Sequence, residues 1–186
     1  MSPPKVSVKA AISFVLTIVF CFSLGARQSV QTFPGGRSSS KSPNGRYVIR
    51  NIDYDGSSAA HRLLLEDRSK KTSNQLFSYD RSVDILWSPS GSGLILNDYA
   101  GSNFTDAYVI LLDDSRRRIK VTEELRTKYP GSARIFSNDH LYIEGVAWLD
   151  EKTIRIKVSG YGGVDRKGYE AFFTYTLDGA IRRVPK

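Results

Sequence analysis

Residues 153–158 read Thr-Ile-Arg-Ile-Lys-Val, apolar at every second position. This is the two-residue period of a strand with one face in a core and the other in water. Residues 107–112, Ala-Tyr-Val-Ile-Leu-Leu, are apolar throughout and predict an interior strand covered on both faces. Further extended runs fall at 48–54, 61–66, 74–79, 83–87, 94–99, 118–122, 142–148, 171–177 and 180–184, which makes about eleven strands. The segment Thr122 to Asp139 interrupts the pattern, and Glu123-Glu124-Leu125-Arg126 within it predicts one short inserted helix.

The strands recur in a fixed order. Ser42-Pro43-Asn44-Gly45 precedes one run, and Trp87-Ser88-Pro89-Ser90-Gly91 precedes another. In both, proline presets φ at one corner and glycine accepts the positive φ that follows, so each is a tight connection between strands. A third copy, Trp148-Leu149-Asp150-Glu151-Lys152, keeps the tryptophan and loses the proline and glycine. A Tyr-x-Gly loop closes the strand after each turn: Tyr54-Asp55-Gly56, Tyr99-Ala100-Gly101 and Tyr161-Gly162-Gly163. An apolar strand, a turn and a shorter strand complete each of the three units. The pattern predicts an all-β, antiparallel fold of three blade-like units.

The best copy, Val83 to Thr122, holds Trp87-Ser88-Pro89-Ser90-Gly91 and Val109-Ile110-Leu111-Leu112-Asp113 in order. This arrangement resembles the WD40-like propeller repeats of the TolB translocation protein and of the prolyl oligopeptidase propeller domains. The resemblance covers most of residues 42–186 and implies a β-propeller architecture. The repeat is structural in that family, so no catalytic residue comes with it. Propellers close with about 4–8 blades, so three units predict an incomplete propeller, a homodimer completing a six-bladed ring, or a rolled sheet. In an open arrangement, a terminal face and two strand edges stay available to a partner.

The first 26 residues read as an export signal. Lys5 and Lys9 form a short basic region, Ala10 to Leu24 is uncharged and largely apolar, and Ser23 with Gly25, or Ala26, supplies the small residues that cleavage needs. The alternative is an uncleaved membrane anchor over residues 10–26; lipidation at Cys21 would require a small preceding residue, and Phe20 is bulky. Residues 27–41, rich in Gly, Ser and Gln, read as a flexible lead-in to a domain at 42–186. Composition follows from this address. Cleavage removes the only cysteine, so the mature domain has no disulfide although it enters a compartment that permits them. It also removes two of 27 basic residues and lowers the net charge from +8 to +6. The remaining cations are scattered through strands and turns, as in Arg116-Arg117-Arg118, and an exported chain does not normally meet nucleic acid.

Chemistry is sparse. No G-x-S-x-G, HExxH, P-loop or GxGxxG pattern occurs. His61 and His140 are the only imidazoles, one at a strand start and one in a loop. Asp53-Tyr54-Asp55-Gly56 resembles the start of a calcium loop, but Leu64 stands where the twelfth-position glutamate belongs, so it reads as a turn. Asp113-Asp114 also reads as a turn. No cofactor or metal is implied. Tyr54, Tyr99 and Tyr161 occupy equivalent positions in the three units and are the candidate partner-binding residues; alternatively, each packs against its neighbouring unit at a strand end. Asn103-Phe104-Thr105 is a glycosylation sequon beside the second of these loops. The leading expectation is a periplasmic or extracellular, non-catalytic protein-binding module of the cell envelope, a class that includes inhibitors and immunity proteins. The alternative is a hydrolase or carbohydrate-active enzyme using loop carboxylates such as Asp98, Asp165 and Glu170. The intact mass of the protein recovered from its native host is expected to correspond to a chain beginning near Arg27; the full-length mass would establish the anchor.

Overall fold

The computed structural model describes residues 28–53, 61–113 and 116–186. The segment expected to be an export signal therefore lies outside the described residues. Thirteen strands and two helices are seen among those described. No described helix is long and apolar enough to cross a membrane. The described residues form an all-β fold, and their strands close no barrel.

Three antiparallel meanders of four strands follow one another along the chain. The first joins β2 (Ser39–Lys41), β3 (Tyr47–Ile52), β4 (His61–Asp67) and β5 (Thr72–Tyr79). The second joins β6 (Val83–Trp87), β7 (Gly93–Asp98), β8 (Phe104–Leu111) and β9 (Arg118–Lys120). The third joins β10 (His140–Trp148), β11 (Thr153–Gly162), β12 (Asp165–Thr176) and β13 (Ile181–Val184). One short parallel contact, Leu141 opposite Phe104 and Tyr142 opposite Thr105, links the second meander to the third, so the pairing is mixed rather than purely antiparallel.

Two cores lie between the three meanders. Alternation along β7 divides the second one between them: Leu94 and Leu96 join Tyr47, Ile49, Leu63 and Phe77 of the first meander, while Ile95 joins Ile143, Ile154, Ile156 and Phe173 of the third. The expected interior strand behaves in the same way, with Val109 in one core and Ile110 in the other.

The repeated turn has one geometry in its first two copies. Ser42 and Ser88 are buried, and each accepts through its carbonyl from the glycine three residues on, at 2.9 Å in both turns. Gly45 and Gly91 hold φ of +70° and +72°, a conformation that disfavours a side chain. The turns stack at one end of the molecule. A Cβ on Gly91 would lie 3.0 Å from the Ser42 side chain, and Glu151 of the third turn accepts from the Ser90 amide and hydroxyl, both at 2.6 Å. The repeated tryptophans are bolts between units: Trp87 donates through Nε1 to Ser40 Oγ at 2.9 Å, and Trp148 donates to the Leu86 carbonyl at 3.2 Å.

The segment expected to be a flexible lead-in carries structure. β1 (Gln31–Phe33) pairs antiparallel with β6, and Phe33 is fully buried in the first core. Gln28 donates to the Trp148 carbonyl at 3.0 Å and accepts from its amide at 2.8 Å. A three-residue strand is too short to show periodicity, and its single aromatic anchor is hidden in a polar context. The insertion likewise holds two helices where one was expected, α1 (Val121–Lys128) and the single turn α2 (Ser132–Ile135). Leu125 and Ile135 plug the second core from above.

The joint between the second and third meanders depends on Asn97. Its side chain is almost fully buried, donates to the Gly145 carbonyl at 3.1 Å and accepts from the Gly145 amide at 2.8 Å. It thus satisfies the backbone of a β-bulge in β10. A Cβ on Gly145 would meet Ile95 Cγ2 at 2.5 Å. Asn97→Ala strands two buried backbone groups and is expected to destabilise the protein by about 2–4 kcal/mol, and Gly145→Ala by about 1–3 kcal/mol through overpacking. Urea unfolding measures both.

Candidate partner-binding surface

The turns occupy one end of the strands, so the Tyr-x-Gly loops emerge at the other. Tyr54 lies outside the described residues. Tyr99 follows β7 and is half-buried; its hydroxyl donates to Asp84 Oδ2 at 2.8 Å, and its amide to the Ser82 carbonyl at 3.0 Å. Burial, with the Asp84 hydrogen bond behind it, pushes its phenol well above the usual range, so Tyr99 remains a neutral donor. Tyr161, near the end of β11, is 46% exposed.

Tyr142, which sequence reasoning did not single out, lies between these two. The parallel register places it beside Thr105, and its hydroxyl donates to the Ser102 carbonyl at 2.9 Å in the loop that Tyr99 opens. On its other side its ring centroid lies 6.4 Å from that of Tyr161, which in turn stacks on His140 at 4.0 Å. A groove of about 370 Å³ runs between Tyr99 and Tyr142, with Arg81 and Glu144 among its lining residues. Phe104, 46% exposed, lies over Gly101, where a Cβ would meet its ring at 3.0 Å. Sequence offered one signal for Tyr142: His140, Tyr142 and Glu144 alternate on one face of β10. The parallel link that brings this face to the Tyr99 loop has no sequence signature.

The imidazoles serve stacking. His140 lies on Tyr161, and His61 stacks on Tyr79 at 5.0 Å with Nδ1 3.2 Å from Asp53. Asp55 and Gly56 of the calcium-like sequence lie outside the described residues. Among the described residues no group of three or more His, Cys, Asp or Glu side chains is placed to hold a metal ion. Asp113 accepts from the Arg116 amide at 3.1 Å across its turn.

The three loop carboxylates do not converge on one pocket. Asp165 and Glu170 line a pocket on the third meander, and both are held by cations. Arg134, 2.6 Å from Asp165, and then Asn138 keep its carboxyl below the usual range. Lys186 at 2.6 Å and Lys157 at 3.3 Å do the same for Glu170. Asp98 ends β7, opposite Asp106 in the ladder. Asp106 pairs with Lys120 at 3.1 Å and accepts from the Thr122 hydroxyl, whereas Asp98 Oδ1 is buried and finds no partner among the described residues. Burial first, and then the charges of Asp106 and Asp80, raise the Asp98 carboxyl to about 6.

No protein-family model and no curated protein matches the chain. Among solved structures it is similar to TolB from Acinetobacter baumannii, with 13% identity and a TM-score of 0.44 over 80% of this chain and 32% of that one. It is also similar to the AtxE2 isopeptidase in its apo form, with 16% identity and a TM-score of 0.47 over 80% of this chain and 28% of that one. The chain spans less than a third of the length of either structure.

A carboxyl whose pKa is raised on folding disfavours the folded state once it must ionise. The penalty is absent below the unfolded value near 3.8 and complete above about 6. Asp98→Asn is therefore expected to be more stable than the parent at pH 7, by about 1 kcal/mol after solvent screening. The difference is expected to vanish below about pH 4. Thermal unfolding at a series of pH values measures it; an unchanged difference across the range would assign the effect to packing.

Proposed function

We propose that the chain is an exported, non-catalytic protein-binding module of the cell envelope, and that its partner engages the surface formed by Tyr99, Phe104, Tyr142 and Tyr161. The observation that carries this reading is that Tyr142 joins Tyr161 of the third meander to the Tyr99 loop of the second, with Phe104 exposed on that loop. Tyrosine offers large amphipathic contact area at small entropic cost, and two of these rings already have fixed hydroxyls. Tyr54 belongs to the same reading through its position in the first repeat. The export pattern at 1–26 supports the envelope address.

The state of the carboxylates favours binding over hydrolysis. Asp165 and Glu170 are held ionised and have no proton to donate at neutral pH, and Asp98, although poised near neutrality, faces a salt-bridged Asp106 rather than a second catalytic group. The outer faces of the first and third meanders bear on the dimeric-ring alternative. They carry Arg50 paired with Glu66, and Lys157 with Glu170. Stacking these faces into a ring would desolvate the ion pairs, which supports an open monomer.

A photo-crosslinking residue replacing Tyr161 or Phe104 is expected to join the protein to one envelope partner, and the same residue replacing Glu66 on the far outer face is not. Tyr99→Ala and Tyr142→Ala are expected to weaken capture by about tenfold or more while the protein stays folded. Equal capture from all three positions, or a turnover abolished by Asp98→Asn, would overturn the reading.

A further inference from the structure

The third meander is incomplete along one edge. β13 pairs with β12 only from Phe172 to Tyr175, ending with Val184 opposite Phe172. The first half of β12, Asp165 to Ala171, therefore has a strand neighbour only on the β11 side, with Pro185 and Lys186 beside its last two residues, Glu170 and Ala171. The inserted segment covers the inner face of this half, leaving a pocket of about 320 Å³. Its floor is apolar: Ile135 of α2, Ala171 and Phe173, with the Tyr129 ring set edge-on to Phe173 at 5.0 Å. That volume is at the lower end of the range of about 300–1,000 Å³ for small-molecule sites, enough for one apolar side chain and its polar terminus.

The charges around the pocket are unequal. Of the two acidic residues at its border, Asp165 is paired with Arg134, and Glu170 turns its carboxylate to the outer face, where Lys157 and Lys186 hold it. Arg183 lines the same pocket from β13, exposed, and no carboxylate among the described residues pairs with it. The Tyr169 hydroxyl in the pocket wall is buried and finds no acceptor among the described residues. The site thus combines an apolar floor, one uncommitted guanidinium and an adjoining stretch of open strand edge. A strand edge recognises an extended peptide through its backbone, and an arginine fork matches a carboxylate.

We propose that this pocket receives the apolar last residue of an extended polypeptide, whose C-terminal carboxylate pairs with Arg183 and whose backbone lies along the open Asp165–Tyr169 edge of β12. The site lies apart from the Tyr99–Tyr142 groove and does not depend on it.

The probe is a pentapeptide ending in phenylalanine, as free acid and as amide, titrated calorimetrically into the full chain. The acid is expected to bind with a dissociation constant of about 0.1 mM or tighter, and the amide about tenfold more weakly. N-acetylphenylalanine, which carries the side chain and carboxylate without the strand, is expected to bind more weakly than the peptide acid. Arg183→Gln, on an exposed edge position, should abolish the preference for acid over amide with an unchanged circular dichroism spectrum. Tyr142→Ala should leave peptide binding intact, which separates this site from the aromatic surface. Equal binding of acid and amide, no saturable binding up to about 1 mM, or an Arg183→Gln variant that keeps the preference would overturn the proposal. N-acetylphenylalanine binding as tightly as the peptide would overturn the polypeptide as ligand and point to a free small acid.

Discussion

Double coverage of the second meander is the constraint on which the rest of the molecule depends, because one sheet must supply apolar side chains to two cores at once. β7 does so by strict alternation, and a one-residue slip would exchange every side chain between cores of different shape. Trp87 and Trp148 reinforce the register. Each presents a large apolar body to its core and fixes its indole N–H to the preceding unit, so a displacement between units would cost both packing and a hydrogen bond.

The aromatic surface is a product of that joint. Asn97 holds the bulge of β10 at Gly145, and the start of the same strand runs alongside the start of β8. Tyr142 is thereby delivered to the loop carrying Tyr99 while remaining on the same strand face as His140. The buried Asn97–Gly145 hydrogen bonds thus tie together the two strands that carry these rings, two residues before Tyr99 on one and three after Tyr142 on the other.

Much of this was readable in the chain. The interior strand at 107–112, the alternating strand at 153–158 and the paired Pro-Gly turns are strong local signals, and each corresponds to an observed element. The strands at 31–33 and 39–41 were not legible, since three residues cannot display a period and Gln28 gives no hint that its amide holds a backbone 120 residues away. The repeat spacing marks Tyr99 and Tyr161 as equivalent positions at strand ends. It does not mark Tyr142, because that residue reaches the Tyr99 loop through a parallel contact between units, and sequence spacing describes only neighbours within a unit. The carboxylates Asp98, Asp165 and Glu170 could be named as acids from sequence, but their different fates follow from cations supplied by distant segments.

The path of residues 28–41 has a consequence for how the native state is completed. Within this short stretch the chain touches the third meander at Gln28, the second through β1 and the first through β2. The segment made earliest among those described therefore finds one of its partners, Trp148, only after most of the chain has been synthesised. Such distant contacts incur loop-closure entropy before they stabilise anything, and they place the closing step late. The part of this stretch from Gln28 to Phe33 acts as a latch that fastens last, and a molecule with that latch undone would retain its meanders while leaving the edge of β6 open to the strands of other chains.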